Sequence, residues 1–340
     1  MNNFFSNNIS LIYAHIVLIS IVGLIIFFKN KISTNLKIID YPNTNLKIHK
    51  FPTPSLGGLI LFFYTLPALL INYQMNSGGL KELTISVFLH VIFFTLGLID
   101  DRKLLSVSYK SLILLTMLLL FIPLSNELIV NKINFKNLDL HINLQQAAIF
   151  FTVFSIFALY NAFNFADGVN CVSAALGIFW ITFVIIKSGD YSNIYYQAIL
   201  ISLIIIIYLN YKKKIFLGNS GSSLYSLIIS LILIQEYKKN NIFCDEIFFI
   251  LFLPGIDMAR ICIQRIISGN SPFSGDNNHL HHLMRPIIKE EFIFFVYILF
   301  SVVPFLAYNF IIKNFYLNFT LSIAIYFMAF FYLTHKKNYS

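Results

Sequence analysis

The sequence predicts an all-α, polytopic integral membrane protein with about 11 transmembrane helices, on two features of its composition. Of the 340 residues 58% are hydrophobic, and only 11% are charged. A soluble domain carries about 25% charged residues, so a soluble core could not hide this much apolar surface. Lipid is therefore the expected solvent for most of the chain.

Apolar windows of spanning length, or close to it, recur along the whole sequence. The first window has no basic segment before it and no small-residue cleavage site, which predicts a retained helix rather than a signal peptide. No internal repeat or low-complexity linker interrupts the series, so residues 1–340 are expected to form a single transmembrane domain. The eleven windows are 9–28, 55–73, 84–99, 109–124, 144–160, 171–186, 193–209, 222–235, 242–258, 292–312 and 315–334.

The basic residues orient these predicted helices. Of the 24 Lys and Arg residues, 17 fall in alternate loops and at the C-terminus, and 7 fall on the opposite side. Positive charge accumulates in cytoplasmic loops, so we expect the N-terminus outside and the C-terminus in the cytoplasm. The net charge of +9 suits anionic lipid or an anionic substrate, and without a nucleic-acid motif no nucleic-acid partner is expected. The three cysteines lack metal or disulfide spacing and are given no role.

Five polar, glycine-bearing segments interrupt the apolar sequence, and all of them fall on the predicted cytoplasmic face. Their shared side predicts one site open to the cytoplasm, whereas a transporter would scatter polar groups at mid-membrane depth. The segments are "IHKFPTPSLGG", "GLIDDRKLLS", "NAFNFADGVN", "KKKIFLGNSGSS" and "SPFSGDNNHLHH".

The second segment places Asp100 and Asp101 side by side at the end of a predicted span. Adjacent carboxylates repel each other and are costly near lipid, so a bound cation or a proton-transfer task would account for them. The alternative is a helix-end pair of acids that Arg102 and Lys103 merely neutralise.

Four polar residues recur every third position in the segment "NAFNFADGVN", which puts them on nearly one face of a helix. Their amide groups are suited to a base or a sugar, and the alternative is a hydrogen-bonded seam between helices. The four residues are Asn161, Asn164, Asp167 and Asn170.

The other segments are basic or rich in glycine and hydroxyl groups. His279, His281 and His282, with Asp276 nearby, suit phosphate better than zinc, because neither a cysteine nor a second separated pair is present. A solvated histidine-rich loop without a role is the alternative reading. Lys47 and His49 lie where headgroup-level cations attract anions or simply anchor the chain.

The five segments, in this order, resemble those of the polyprenyl-phosphate N-acetylhexosamine-1-phosphate transferases (glycosyltransferase family 4). This membrane family includes muramyl-pentapeptide translocase and the enzymes that begin O-antigen, common-antigen and teichoic-acid synthesis. The resemblance extends from about Asp40 to Met284, and the "SPFS" and His-x-His-His elements look more like the second branch.

The resemblance implies a reaction and its partners. A UDP-sugar, UDP-GlcNAc or a related UDP-HexNAc, would give its sugar 1-phosphate to undecaprenyl phosphate and release UMP, with Mg²⁺ or Mn²⁺ as cofactor. The product would start a lipid-linked cell-surface glycan at the bacterial inner (plasma) membrane, and a homodimer is left open. A lipid-linked sugar carrier without transferase chemistry remains the alternative from another class, together with an inactive relative that binds polyprenyl phosphate.

The resemblance also implies roles for individual residues. Asp100, Asp101 and Asp167 would form the catalytic centre, and Asn164 and Asn219 would face the metal. Substrate would be bound by Lys47, His49, Lys110, Asn161, Asn164, Asn170, Phe216, Gly218, His279, His281 and His282.

Two positions depart from the commoner family pattern. The usual Gly-Asp-x-Gly-Ser loop has Asn219 in place of its aspartate, and the second aspartate of Asp-Gly-x-Asp is Asn170. Each change removes a negative charge and keeps an oxygen donor, while Mg²⁺ prefers carboxylates. Asp101 or Asp167 and the diphosphate could still hold the metal. Otherwise the donor differs, or the chain is a catalytically weak relative.

Overall fold

The computed structural model describes residues 2–42, 51–76, 79–138, 140–271 and 278–339. It is a helical bundle, and the predicted all-α membrane fold is confirmed. The helices are α1 (Asn2–Phe27), α2 (Lys29–Leu36), α3 (Gly57–Asn76), α4 (Leu80–Arg102), α5 (Val107–Phe121), α6 (Ala148–Ala166), α7 (Val172–Ser188), α8 (Ile194–Tyr211), α9 (Gly218–Lys238), α10 (Cys244–Ile250), α11 (Phe252–Ile267), α12 (Leu280–Leu283), α13 (Glu290–Leu306) and α14 (Phe315–Tyr339).

Two short antiparallel strand pairs lie outside the helices. Strand β1 (Ile39–Asp40) pairs with β2 (Thr53–Pro54), and β3 (Lys132–Asn134) pairs with β4 (His141–Asn143). The second pair belongs to a loop that the sequence presents as an ordinary connector. Its hairpin is held by Tyr237 of α9, whose hydroxyl accepts a hydrogen bond from Asn134 N and donates one to Lys132 O.

The predicted windows all fall on helices, but they do not all form complete spans. Among the described residues, seven helices are long and apolar enough to cross a bilayer, or eight if α1 and α2, bent by 71°, form one span. Helix α7 has only 17 residues, and the ninth window is divided between α10 and α11 at Leu251. The count of eleven and the orientation stay predictions.

Helix α9 occupies the centre of the bundle, where it packs against α3, α4, α6 and α7. It is buried continuously over residues 220–234, although this stretch contains several serines. Those hydroxyls are satisfied locally: Ser223 donates to Phe93 O of α4, and Ser226 and Ser230 donate to carbonyls of their own helix. A polar helix can lie in this interior because its hydroxyls have partners.

Buried ion pairs lie at one end of the bundle, near the C-terminal end of α9. Glu246 is 1% exposed and accepts hydrogen bonds from the ammonium groups of Lys187 and Lys136. Asp245 beside it is fully buried and accepts from Lys136 N and from the hydroxyl of Tyr308. Buried carboxylates are stable only when paired in this way. The described parts of the five polar segments lie at the other end.

Candidate active site

A cavity of about 670 Å³ opens at the end of the bundle where α4 and α6 end and α9 begins. Its wall combines carboxylates, amides and basic groups from segments far apart in the chain. Residues singled out in the sequence that line it are Asp100, Asp101, Asp167, Asn170, Phe216, Gly218 and Asn219. Asp40, Arg102, Arg285 and Glu290 also line it, among others.

Asp101 is attached to the first turn of α9. Its two carboxylate oxygens accept hydrogen bonds from Asn219 N (2.7 Å), Ser220 N (3.0 Å) and Ser220 Oγ (2.6 Å). The first amides of a helix have no partner within the helix, and that end carries partial positive charge. The carboxylate therefore caps α9 and sets where the segment "FLGNSGSS" lies.

Glycines allow three helices to meet at this cap. Gly57 N and Gly58 N donate to the carbonyls of Phe216 and Leu217, each at 3.0 Å, which ties α3 to the residues before α9. On α4, a methyl group added at Gly97 would lie 2.5 Å from the backbone oxygen of Asn219. Only glycine fits so close to another backbone. Gly218 itself has φ +77°, in the left-handed region that glycine adopts readily.

Asp100, the other member of the acidic pair, is hydrogen-bonded to a lysine of α5 and to the backbone just before that helix. Lys110 Nζ donates to Asp100 Oδ2 at 3.0 Å, and Leu105 N donates to Oδ1 at 2.7 Å. Asp100 is 4% exposed, so its charge is matched inside the protein. Lys110, which the resemblance places near the phosphates, is thus a partner of Asp100.

Asp167 ends α6 at the cavity wall. Ser173 Oγ donates to its Oδ1 at 2.5 Å. Burial, with a smaller contribution from the charge of Asp101, raises the pKa of the Asp167 carboxyl to about 7, against the hydrogen bond from Ser173. A nearby cation would favour the ionised form.

The amide stripe divides between two environments. Asn161 is buried and donates to Phe157 O of its own helix, and Asn164 accepts from Ser222 Oγ of α9 at 3.4 Å. Neither of these two lines the cavity in the described structure. Only Asn164 contacts α9, as in the interhelical seam left open by the sequence, while Asp167 and Asn170 reach the cavity wall.

Asn170 has an acidic partner that the sequence reading missed. Its Nδ2 donates to Glu290 Oε1 of α13 at 3.0 Å, and Lys213 Nζ lies 4.0 Å from Glu290 Oε2. An aspartate at 170 would face Glu290 with like charge. The asparagine is therefore complementary to its neighbour. The acidic start of α13 was visible in the sequence, but nothing linked it to Asn170.

The histidines lie behind the cavity wall rather than on it. His279 is 5% exposed, and its ring stacks on that of His281 with centroids 5.5 Å apart. A methyl group added at Gly168, which lines the cavity, would lie 2.5 Å from Nε2 of His282 and 2.9 Å from Nε2 of His281. The missing side chain at Gly168 thus lets both imidazoles approach the cavity.

Burial decides the charge of His281, the second of these histidines. Burial, followed by the charges of His282 and His279, lowers the pKa of His281 well below its usual value. His281 is therefore a neutral imidazole at pH 7, with one N–H donor and one acceptor.

Lys47, His49 and Asp276 lie outside the described residues.

The oxygen donors are suited to Mg²⁺ only if substrate completes its coordination. No cluster of three or more His, Cys, Asp or Glu residues able to hold a metal occurs in the described part of the chain. The carboxylate of Asp101 already accepts hydrogen bonds from α9. Asp167 and Asn219 line the same cavity. Mg²⁺ commonly uses one or two carboxylates plus phosphates and water, and this donor set fits that pattern.

Comparison with known proteins agrees with these features. Residues 83–236 match the model of the family described as Glycosyl transferase family 4. The chain is 27% identical over 281 residues to the undecaprenyl-phosphate alpha-N-acetylglucosaminyl 1-phosphate transferase of Escherichia coli (strain K12), covering 77% of this chain and 72% of that protein. It is 25% identical over 276 residues to the protein of the same name from Salmonella typhi, covering 76% and 72%.

A more distant relative aligns over a longer stretch. The chain is 24% identical over 319 residues to the decaprenyl-phosphate N-acetylglucosaminephosphotransferase of Mycobacterium leprae, covering 83% of this chain and 79% of that protein. Residues 83–236 are thus a glycosyl transferase family 4 region in a multi-span membrane protein, and the resemblance predicted from the five segments is confirmed.

Proposed function

We propose that this protein transfers an N-acetylhexosamine 1-phosphate from a UDP-sugar to undecaprenyl phosphate and releases UMP. The observation that carries the proposal is the convergence of Asp100, Asp101, Asp167 and the "FLGN" turn on one cavity. These groups come from three segments, and they meet beside basic and amide side chains. The names of the curated relatives support the same reaction.

The reaction needs positioning more than proton transfer. The acceptor is a phosphate monoester with a second pKa near 6, so it is mostly a dianion at pH 7. An acceptor oxygen attacks the phosphorus that bears the sugar, and the bond from that phosphorus to the bridging oxygen breaks. UMP leaves with the bridging oxygen. We favour this direct attack over a phospho-enzyme, because Asp100 is held by Lys110 and Leu105 N.

The chain's residues would divide the work between the two anions. Asp101 holds α9 so that Phe216 and Gly218 border the cavity where the uracil would lie. The histidines behind Gly168 and the guanidinium of Arg285 would receive the diphosphate. Asp167 and Asn219 would hold Mg²⁺, which when bound neutralises phosphate charge. Asn164, predicted from the sequence to face the metal, would contribute from its position between α6 and α9, where it contacts Ser222.

The site would face the cytoplasm at the bacterial inner membrane, as the distribution of Lys and Arg predicts. The reaction would take place in the transmembrane domain expected over residues 1–340. The polar segments fall on one predicted face, which argues against a lipid-linked sugar carrier, because a carrier would need polar groups at mid-membrane depth.

A direct assay tests the proposal. Purified protein in detergent is incubated with undecaprenyl phosphate, Mg²⁺ and a panel of UDP-GlcNAc, UDP-GalNAc and 6-deoxy UDP-HexNAc donors, and released UMP is measured. We expect UMP and a lipid-linked sugar diphosphate from at least one donor. Binding of undecaprenyl phosphate without UMP from any donor would indicate the inactive relative instead. UMP exchange without acceptor would favour the phospho-enzyme.

A further inference from the structure

A buried carboxylate outside the cavity, Asp257 of α11, lies beneath the first of the three histidines. Asp257 is 2% exposed. Its oxygens lie 2.9 Å from His279 Nδ1 and accept hydrogen bonds from Arg260 Nη2 (2.8 Å), the Tyr326 hydroxyl (2.7 Å) and Leu280 N (3.2 Å). A buried carboxylate with this many donors is held in one orientation.

Arg260 extends the contacts of Asp257 to two other segments. Its Nε donates to the Tyr326 hydroxyl at 2.7 Å, and its Nη2 also donates to Asn278 O at 2.7 Å. Tyr326 belongs to α14, so the network joins α11, the residues that lead into α12, and the last helix. Asn278, directly before the first histidine, is therefore held by a side chain that does not line the cavity.

The contact with Asp257 determines which nitrogen of His279 a ligand can meet. Only a protonated Nδ1 can donate to a carboxylate, so Nδ1 carries hydrogen and Nε2 is left for other partners. The plane of the ring is fixed by the same bond. Because His281 stacks on it with an interplanar angle of 7°, the orientation of the first ring also constrains the second.

The cluster held in this way has buried nitrogens that lack partners. Among the residues that the structure describes, neither ring nitrogen of His281 has a hydrogen-bond partner, and Nε of Arg285 has none either. Leaving a buried donor unpaired costs about 1–3 kcal/mol, so such groups point to an absent ligand or ion. Nε2 of His281 lies close to Gly168 at the cavity wall, where oxygen atoms of an anion would satisfy it.

We propose that Asp257 is a positioning residue for donor binding. It fixes the tautomer and ring plane of His279, and through the stacked ring the orientation of His281, so that imidazole nitrogens meet the donor's diphosphate at Gly168. This inference rests on the proposed function, since the diphosphate is that of the UDP-sugar. Asp257 itself does not touch the substrate.

Asp257 could instead serve only to join α11 to α14. A substitution at Tyr326 distinguishes this structural role from the positioning of His279. The Tyr326 hydroxyl makes two hydrogen bonds in the same network, one with Asp257 and one with Arg260. It makes none with His279 among the described contacts. If the network only joined α11 to α14, then Tyr326→Phe would impair the protein about as much as Asp257→Asn.

The first experiment compares these two variants as full-length proteins in detergent. Binding of UDP-GlcNAc, or of whichever UDP-HexNAc the wild type uses, is measured by calorimetry with Mg²⁺ and without lipid acceptor, and melting temperatures are recorded. We expect Asp257→Asn to weaken donor binding at least about 10-fold, as for other residues that orient a histidine ligand. Tyr326→Phe should change it less than about 3-fold at a similar loss of melting temperature. Equal losses of affinity would overturn the proposal.

The second experiment needs only wild-type protein, in case Asp257→Asn does not fold. Histidine side chains are labelled with ¹⁵N, and His279 and His281 are assigned by comparison with His279→Gln and His281→Gln. We expect Nδ1 of His279 to carry hydrogen in the free protein and to keep it when donor is added, while the Nε2 resonance of His281 moves. A His279 with bare Nδ1 would overturn the inference. A wild type that binds no UDP-sugar would instead count against the proposed function, and the free-protein spectrum would still test Asp257.

Discussion

Asp101 on α4 accepts hydrogen bonds from both the backbone amide and the hydroxyl of Ser220 on α9, at 3.0 and 2.6 Å. Its neighbour Asp100 is bound instead to Lys110 at 3.0 Å. Two adjacent acids that look equivalent in the sequence thus have different partners. Asp101 sets the position of the central helix, and Asp100 forms a buried ion pair at the cavity wall.

Removing charge from Asp101 should therefore destabilise the fold as well as the reaction. In Asp101→Asn, one amide group would point hydrogen atoms at the donors of α9, and we expect a loss of about 1–3 kcal/mol. Ser220→Ala removes one donor and should cost about 1 kcal/mol. Thermal unfolding in detergent measures both. A wild-type melting temperature in Asp101→Asn would show that the cap contributes no stability.

Asn219→Asp should strengthen metal activation. Residue 219 lines the cavity, and a carboxylate is a better Mg²⁺ ligand than an amide. We expect activity to saturate at a roughly tenfold lower Mg²⁺ concentration than in the wild type. Asn219→Ala is the matched control and should require more Mg²⁺. If all three proteins saturate at one concentration, Asn219 does not face the metal.

The stability of the metal-free protein should depend on pH through Asp167. Burial raises the pKa of this carboxyl to about 7 from an ordinary 3.8, so folding favours the neutral form. Its contribution to stability is complete below the unfolded-state pKa and is lost as pH rises through the folded-state value. In EDTA, the melting temperature should fall between about pH 5 and pH 8 more steeply for the wild type than for Asp167→Asn. Parallel profiles would contradict the raised pKa.

The contact between Asn170 and Glu290 can be tested by exchanging the amide and the carboxylate between the two positions. Asn170→Asp places carboxylates about 3 Å apart, so we expect it to be less stable than the wild type and to bind donor more weakly. Adding Glu290→Gln restores a hydrogen bond in the opposite direction. The double variant should recover both properties, as measured by melting temperature and donor calorimetry. Unchanged stability in the single variant would show that the two side chains do not interact.

Two glycine substitutions should separate folding from substrate binding. A methyl group at Gly97 would meet backbone of α9 at 2.5 Å, which cannot yield cheaply, so Gly97→Ala should impair folding. At Gly168 the same group would meet the ends of two histidine side chains, which can rotate away. Gly168→Ala should therefore keep most of its melting temperature and lose donor affinity. Equal effects on melting temperature would contradict this distinction.

The sequence could predict which segments form the site, because each is a polar interruption between apolar helices. It could also predict that the amides share a helix face, since a spacing of three residues fixes their relative directions. It could not predict which neighbour that face meets. Asn164 meets Ser222 of α9, whereas Asn170, beyond the end of α6, meets Glu290.

Hydrogen bonds between residues far apart in the chain could not be predicted either, because the sequence does not show which elements pack together. Asp257 and His279 are 22 residues apart, and Tyr326 lies 69 residues beyond Asp257. No periodicity connects such positions. Apolar windows predicted where helices form, but α10 and α11 meet at Leu251 within a single window, because hydropathy reports composition and not backbone continuity.

The polar interior of α9 has a consequence for how the chain is assembled in the membrane. With its serines, α9 is not among the helices apolar enough to cross a bilayer alone, although it has 21 residues. The helices that pack around it, α3, α4, α6 and α7, all precede it in the chain. During synthesis they are inserted first and offer α9 a protein surface, so its hydroxyls need not enter lipid. A ribosome-bound chain that lacks α4 would leave Ser223 without the Phe93 carbonyl, and we then expect α9 to be retained at the membrane surface.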